Sequence, residues 1–382
     1  MINYRTWLEI NEQALIYNLQ QFRKIIGSQK ILAAVIKSNA YGHGLLEVAK
    51  ILEKSEADWF IVDSIDEALT LKQKNTKTKK QIIILDYTIL NRLEDVVKNG
   101  FRQVVYNKET IQKLGEISKK LNKKVYIHLK LETGISRQGV LEEEIKDIIK
   151  LIKKFPNLIL EGILAHFANI EDTTDHSYAQ MQLERFKKMI AIAEKEYGQK
   201  IKIKHTASSA ATILFPETHF DLVRTGISIY GFWSSNETKL SATHKKINFN
   251  LKPVLEWKTI IVKIKNLKAE TPVSYGLTEI LHQDSKIAVV PIGYYDGFDR
   301  KLSSIGNVLI KGKRCKILGR ICMNMFMVDV SHIENLKLED EVILIGKQGN
   351  EQITADEIAK KINTINYEIV TRINPLIKRI IV

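Results

Sequence analysis

From Ile31 to Ile229 the chain alternates eight short β-branched or apolar runs with longer, mostly amphipathic stretches. The runs are Ile31–Lys37, Asp58–Ser64, Gln81–Asp86, Arg102–Tyr106, Lys124–Glu132, Leu158–His166, Ile201–Ala207 and Asp221–Ile227. Segments such as Leu45–Lys54, Ile89–Lys98, Leu141–Phe155 and Ser177–Tyr197 lie between them, with apolar residues three and four apart. This alternation predicts βα units on a parallel sheet. Eight units in about 200 residues fit a closed barrel better than an open doubly wound sheet.

The pattern changes after the polar stretch Ser234–His244, which reads as a linker or crossover. Short strands are expected at Val254–Val262, Ile287–Pro291, Asn307–Ile310, Met325–Val330 and Glu341–Ile345, and one late helix at Ile358–Ile362 after the capping box Thr354-Ala-Asp-Glu357. The expected fold is therefore α/β: an N-terminal (βα)8 TIM-type barrel, residues 1–235, then a C-terminal mainly-β domain, residues 236–382.

At 382 residues and 45% hydrophobic, the chain can bury two cores. No apolar run approaches the roughly 18 residues needed to cross a bilayer. Met1–Ile10 lacks a secretory signal's apolar region, so a cytoplasmic protein with no membrane contact is expected. The net charge of +14 raises the question of nucleic acid, but 46 of the 58 basic residues are lysines scattered over helix-like faces without a recognition motif, so no nucleic-acid partner is expected. Cys315 and Cys322 are too few for a disulfide framework and have no metal-site spacing; neither zinc nor another metal is expected.

In a barrel of this type chemistry collects just after the strands. Lys37 follows the first run, Lys130 and Arg137 belong to the fifth and its loop, and His166 ends the sixth. His205 and Ser209 sit at the end of the seventh, and Arg224 and Gly226 close the eighth. A strand-end lysine can be a solvated surface residue, or a partly desolvated amine suited to covalent attachment.

The wording around these residues decides between the two. Ala34-Val-Ile-Lys-Ser-Asn-Ala-Tyr-Gly-His-Gly44 resembles the cofactor-lysine segment of alanine racemases. The resemblance implies pyridoxal 5'-phosphate (PLP) carried covalently on Lys37, with Tyr41 beside its phosphate. Arg224-Thr-Gly-Ile227 is similar to the family's Arg-Pro-Gly-Ile segment; it implies that Arg224 meets the pyridine nitrogen and that the Gly226 and Ile227 backbone holds phosphate. His205-Thr-Ala-Ser-Ser-Ala210 resembles His-x-Ala-Asn-Ser-Ala, which implies that His205 orients Arg224 and Ser209 binds phosphate, with Ser208 in place of asparagine.

Lys130-Leu-Glu-Thr-Gly-Ile-Ser-Arg137 resembles a further motif, implying that Arg137 meets the cofactor oxygen and substrate carboxylate and that Lys130 can be carbamylated. His166 matches a histidine near the cofactor ring. Racemisation needs acid/base groups on both faces of the α-carbon. Val273-Ser-Tyr-Gly276 resembles the motif of the second base, which nominates Tyr275 opposite Lys37. A tyrosine acts as a base near neutrality only beside cations. Tyr294 and Met323 match contacts to the substrate carboxylate, and Tyr367 matches a tyrosine by the phosphate.

The resemblance implies conversion of L-alanine to D-alanine and back, for peptidoglycan or for alanine catabolism, by a homodimer with shared active sites. Asn324 stands where the family has aspartate, which leaves a broad-specificity or serine racemase open. A non-enzymatic PLP-binding protein is the remote alternative.

Overall fold

A computed structural model describes residues 3–73 and 78–382. The chain divides into two compact units, one made of residues 13–40 and 48–252 and the other of the N-terminal residues to 12, residues 41–47 and residues 253–382.

Among the described residues the first unit holds eight parallel strands: Ile31–Val35, Trp59–Val62, Gln81–Ile84, Arg102–Val105, Val125–Lys130, Leu158–Leu164, Ile203–His205 and Leu222–Thr225. They pair in chain order, and the last returns to the first through Ile31↔Leu222 to Ala34↔Thr225. The remaining seam is bridged by Asp221 N to Lys204 O at 3.1 Å and Arg224 N to Ala207 O at 2.9 Å. Continuous apolar strands follow from burial on both faces: Leu32, Ala33, Ala34, Phe60, Ile61 and Val62 are all wholly buried.

Helices cover the outside by their periodicity. Ile145, Ile148, Ile149 and Ile152 form one buried stripe of the helix Ile145–Lys153. Each such side chain contributes about 1.5–3 kcal/mol relative to exposure. The expected helix Ile89–Lys98 is a 3-10 turn, Leu90–Arg92, followed by Leu93–Asn99. Within the stretch expected as a linker or crossover, Asn236–His244 is a helix whose first turn is capped by Ser235 Oγ, which accepts from Thr238 N at 2.9 Å. Its buried stripe is only Thr238 and Ala242, too weak a signal for a periodicity argument.

In the second unit Thr6–Ile10 pairs antiparallel with Leu255–Ile260 and parallel with Lys378–Ile381, within a sheet that includes Ser285–Val290, Asn307–Ile310, Phe326–Asp329 and Glu341–Gln348. The strands Lys263–Leu267 and Lys313–Leu318 were not anticipated, because charged residues crowd both and only part of each faces a core. Thr354 Oγ1 accepts from Glu357 N at 3.0 Å and starts the helix Ala355–Ile362. A second late helix, Asn366–Thr371, adds to the one expected. Among the described residues no helix is long and apolar enough to cross a membrane.

Candidate active site

Lys37 begins where the first barrel strand stops. Ile36 N still bonds Ile61 O at 2.9 Å. The backbone then enters a left-handed turn, with φ of 54°, 54° and 52° at Ser38, Asn39 and Ala40. None of the three is glycine, so each costs roughly 1–2 kcal/mol. Glu67 offsets this by clamping two segments: Oε1 accepts from Asn39 N at 3.2 Å and Oε2 from Asp63 N at 2.9 Å. Strain retained at a strand end by a dedicated carboxylate marks a functional position. Lys37 Nζ donates to Asp63 Oδ1 at 2.9 Å.

Arg224 comes from the strand paired with that of Lys37, Ala33 facing Arg224 in register. Its Nη1 donates to His205 Nδ1 at 2.9 Å and to His205 O at 3.0 Å. Nη2 donates to Ala165 O at 2.9 Å and Thr206 O at 3.0 Å, and meets His166 Nδ1 at 3.4 Å. A guanidinium only donates, so His205 Nδ1 is an acceptor and its proton sits on Nε2. That proton points to His128 Nδ1 at 2.9 Å, and His128 Nε2 in turn faces Glu161 Oε2 at 3.3 Å. Arg102 closes the chain on both Glu161 oxygens, at 2.9 and 3.2 Å. Arg224 and both imidazoles then donate in one direction, toward the carboxylate, which Arg102 meets from the other side.

The charges agree with this assignment. Burial holds His205 well below the ordinary imidazole value, helped by the Arg224 charge. Burial likewise lowers His128. Burial opposes the charge on Glu161, but hydrogen bonds from His128 and Arg102 outweigh it and keep the carboxyl below its usual range. Arg224 is drawn down to about 10 by burial and remains a cation near neutrality.

Lys130 is buried, and its Nζ donates to Gln138 Oε1 at 2.7 Å. Gln138 Nε2 passes the bond to Asp86 Oδ1 at 2.6 Å. Burial, then the nearby Arg137 and Arg224 charges, pull the Lys130 amine down to about 8. Arg137 lies exposed on the loop after this strand. Glu132 shapes that loop by accepting from Gly134 N at 2.6 Å, Ile135 N at 2.8 Å and Arg137 N at 3.3 Å.

Ser209 Oγ accepts from Gly226 N at 2.9 Å, joining the ends of the last two strands. Nearby in sequence, the buried hydroxyls of Thr206, Ser208 and Ser228 have no hydrogen-bond partner. The Arg224 hydrogen bonds run from Nη1 and Nη2, which leaves its Nε–H for an acceptor. A spare cationic donor on Arg224 and the orphaned hydroxyl of Ser228, one residue past the Gly226–Ile227 step, fit a ring nitrogen and a phosphate. Residues of the barrel unit thus fit PLP.

The other sequence-selected residues lie in the second unit. Tyr41 and Tyr367 have ring centroids 6.1 Å apart. Gly42 permits this approach of the segments: a Cβ there would lie 1.9 Å from Val370 O, and φ is +82°. Tyr294 N donates to Cys322 O at 3.1 Å and Tyr295 N to Met323 O at 3.0 Å, so Tyr294 and Met323 are neighbours. Tyr275 is 70% exposed, and the Arg320 guanidinium lies against the next residue, where a Cβ on Gly276 would be 2.9 Å from Cζ. Cys315 and Cys322 are free thiols, and burial pushes Cys315 up to about 12.

Asp63, Glu67, His128, Glu161 and Gln138 were not selected from the sequence. Asp63 and Glu67 stand in the ordinary-looking Asp63-Ser-Ile-Asp-Glu67, where the acidic start of a helix marks Glu67 alone.

Residues 10–233 match the family model for the alanine racemase N-terminal domain, and residues 254–381 match that for its C-terminal domain. The alanine racemase of Leptospira interrogans serogroup Icterohaemorrhagiae serovar Lai is 40% identical over 383 residues, covering 99% of this chain and 96% of the relative. That of Methanococcus maripaludis is 39% identical over 381 residues, covering 100% and 99%. Among solved structures, alanine racemase from Clostridium difficile 630 superposes with a TM-score of 0.92 at 35% identity, covering 100% of this chain and 97% of the other. The Bacillus anthracis enzyme with bound L-Ala-P gives 0.92 at 33% identity, covering 100% and 96%. The chain belongs to the alanine racemase family, a family of amino-acid isomerases.

Proposed function

We propose that this chain interconverts L- and D-alanine, with PLP on Lys37 and with Lys37 and Tyr275 as opposed acid/base groups. When bound, PLP supplies the electron sink that acidifies the α-carbon. Lys37 exchanges the proton of the D-enantiomer and Tyr275 that of the L-enantiomer. The observation that carries the reading is the pairing of two strand ends, one bearing Lys37 and the other Arg224, whose unused Nε–H suits a ring nitrogen.

Arg224 cannot hand over its proton, so it tempers the sink and favours return of the proton to carbon over diversion. His205 holds Arg224 in place, and His166, neutral through burial and then the Arg224 and Arg137 charges, keeps further positive charge off the ring. Ser209, the Gly226 and Ile227 backbone, Tyr41 and Tyr367 take the phosphate. Arg137, Tyr294 and the Met323 backbone take the substrate carboxylate. The depressed Lys130 amine is suited to carbamylation, which would give Arg137 an anionic neighbour.

A base that is 70% exposed cannot exclude water, so Tyr275 needs a cover. Leu277, Tyr295, Met323 and Met325 are exposed in the same unit. This favours a homodimer in which Tyr275 of each copy completes the other's site. We place the enzyme in the cytoplasm, supplying D-alanine for peptidoglycan or opening alanine catabolism. Asn324, exposed beside Met323, favours a second reading as a broader-specificity or serine racemase.

The test is a visible spectrum before and after borohydride, followed by racemisation assays on L-alanine and L-serine. A borohydride-sensitive chromophore with alanine turnover supports the reading. A colourless protein that takes up no PLP contradicts it, and serine turnover equal to alanine favours the second reading.

A further inference from the structure

We propose that Asp63 is a positioning residue for Lys37, holding the ε-ammonium of the unreacted lysine toward the neighbouring strand and so limiting when the amine is free to react. This rests on Lys37 being the attachment lysine, and the experiment below separates the two.

Asp63 follows the strand Trp59–Val62, which pairs with the strand of Lys37 through Val35↔Ile61. Its carboxylate reaches Lys37 Nζ at 2.9 Å, and its backbone is fixed on both sides. Asp63 N donates to Glu67 Oε2 at 2.9 Å, and Asp63 O accepts from Asp86 N at 3.1 Å. Through its other oxygen, Glu67 also holds Asn39 N, two residues from the lysine. One glutamate therefore sets both ends of the Lys37–Asp63 pair.

The strand-end face is crowded with positive charge. His166 is held well below its ordinary value first by burial and then by Arg224, Arg137, Lys130 and Lys37 in turn. Lys130 reaches the carboxylate of Asp86 through Gln138. Asp63 gives Lys37 the corresponding counter-charge. A lysine released from a covalent bond here enters as a new cation among three others, and Asp63 receives it. The side chains are 36% and 38% exposed, so solvent screening limits the effect to a few-fold.

The experiment uses full-length parent, Asp63→Asn and Asp63→Glu proteins stripped of cofactor and treated briefly with acetic anhydride at fixed, mildly alkaline pH. The initial acetylation rate of Lys37 is read by peptide mass spectrometry against exposed lysines of the β-rich unit. Asp63→Asn should acetylate Lys37 about three- to fivefold faster than parent, and Asp63→Glu within about twofold of parent. The rate of PLP capture, followed by visible absorbance, should rise in the same order. Asp63→Ser gives the same reading if the amide variant does not accumulate folded. Equal rates in parent and the uncharged variants overturn the proposal, as does an Asp63→Glu rate matching Asp63→Asn. Borohydride trapping of PLP on a lysine other than Lys37 in the parent overturns the attachment reading and leaves the acetylation comparison standing.

Discussion

The guanidinium of Arg224 donates to Nδ1 of His205 at 2.9 Å, and this one bond sets the tautomer of His205 and, through it, of His128. Both imidazoles are wholly buried and neutral, so the chain ending on Glu161 works as an orienting frame rather than a store of charge.

Replacing His205 with alanine leaves Arg224 and His128 each short of a buried partner. The expected cost is about 2–4 kcal/mol of stability, with kcat/KM falling roughly 10- to 100-fold. Denaturant unfolding and steady-state kinetics check this. A variant as stable and active as the parent contradicts the orienting role.

Exchanging Arg224 for glutamate puts a carboxylate where the ring nitrogen is expected, which favours a protonated ring and a stronger sink. Racemisation should fall, while the share of cofactor diverted to its amine form per turnover rises. Absorbance during extended turnover measures that share, and an unchanged share removes Arg224 from the ring nitrogen.

Stability should fall on mild acidification. Burial lowers His128, His166, His205 and His219 below the ordinary imidazole value. The unfolded chain takes up these protons as pH drops through about 6.5 and the folded chain does not, so stability is complete above that pH and lost below it. Glu161, held low by His128 and Arg102, adds a loss of the same sign further into the acid range. Thermal unfolding midpoints should drop between about pH 7 and pH 5 with a slope of more than one proton. A flat profile excludes buried neutral histidines.

With its amine near 8 and Arg137 and Arg224 nearby, Lys130 should take up CO2 in bicarbonate above neutral pH. Native mass spectrometry should find one CO2 added in the parent and none in Lys130→Ala, which should also lose about tenfold in activity. An unmodified Lys130 under those conditions contradicts the expectation.

Asn324→Asp adds a negative charge beside Met323, near the expected carboxylate contacts. Because position 324 is exposed, KM for both L-alanine and L-serine should rise only about two- to fivefold, with kcat unchanged. A changed ratio of the two substrates would instead assign specificity to this position.

Much of the barrel was legible because strands buried on both faces must be continuously apolar, and each run stops where its polar chemistry begins. Lys37, Arg224 and His205 stand at those stops and were visible. The residues that position them were not. Asp63 lies 26 residues from Lys37, and His128 lies 77 from His205, so their pairings exist only once the barrel closes. Asn236–His244 escaped notice because its helix is fixed by a serine cap rather than an apolar face, and Lys313–Leu318 because its lysines and arginine face solvent.

The two-base assignment is tested most directly by α-proton exchange in heavy water with parent and Tyr275→Phe enzymes, starting separately from each enantiomer. The variant should keep its chromophore and lose exchange from L-alanine by about 10²–10⁴-fold, while exchange from D-alanine persists through Lys37. Exchange from L-alanine at the parent's rate would contradict it.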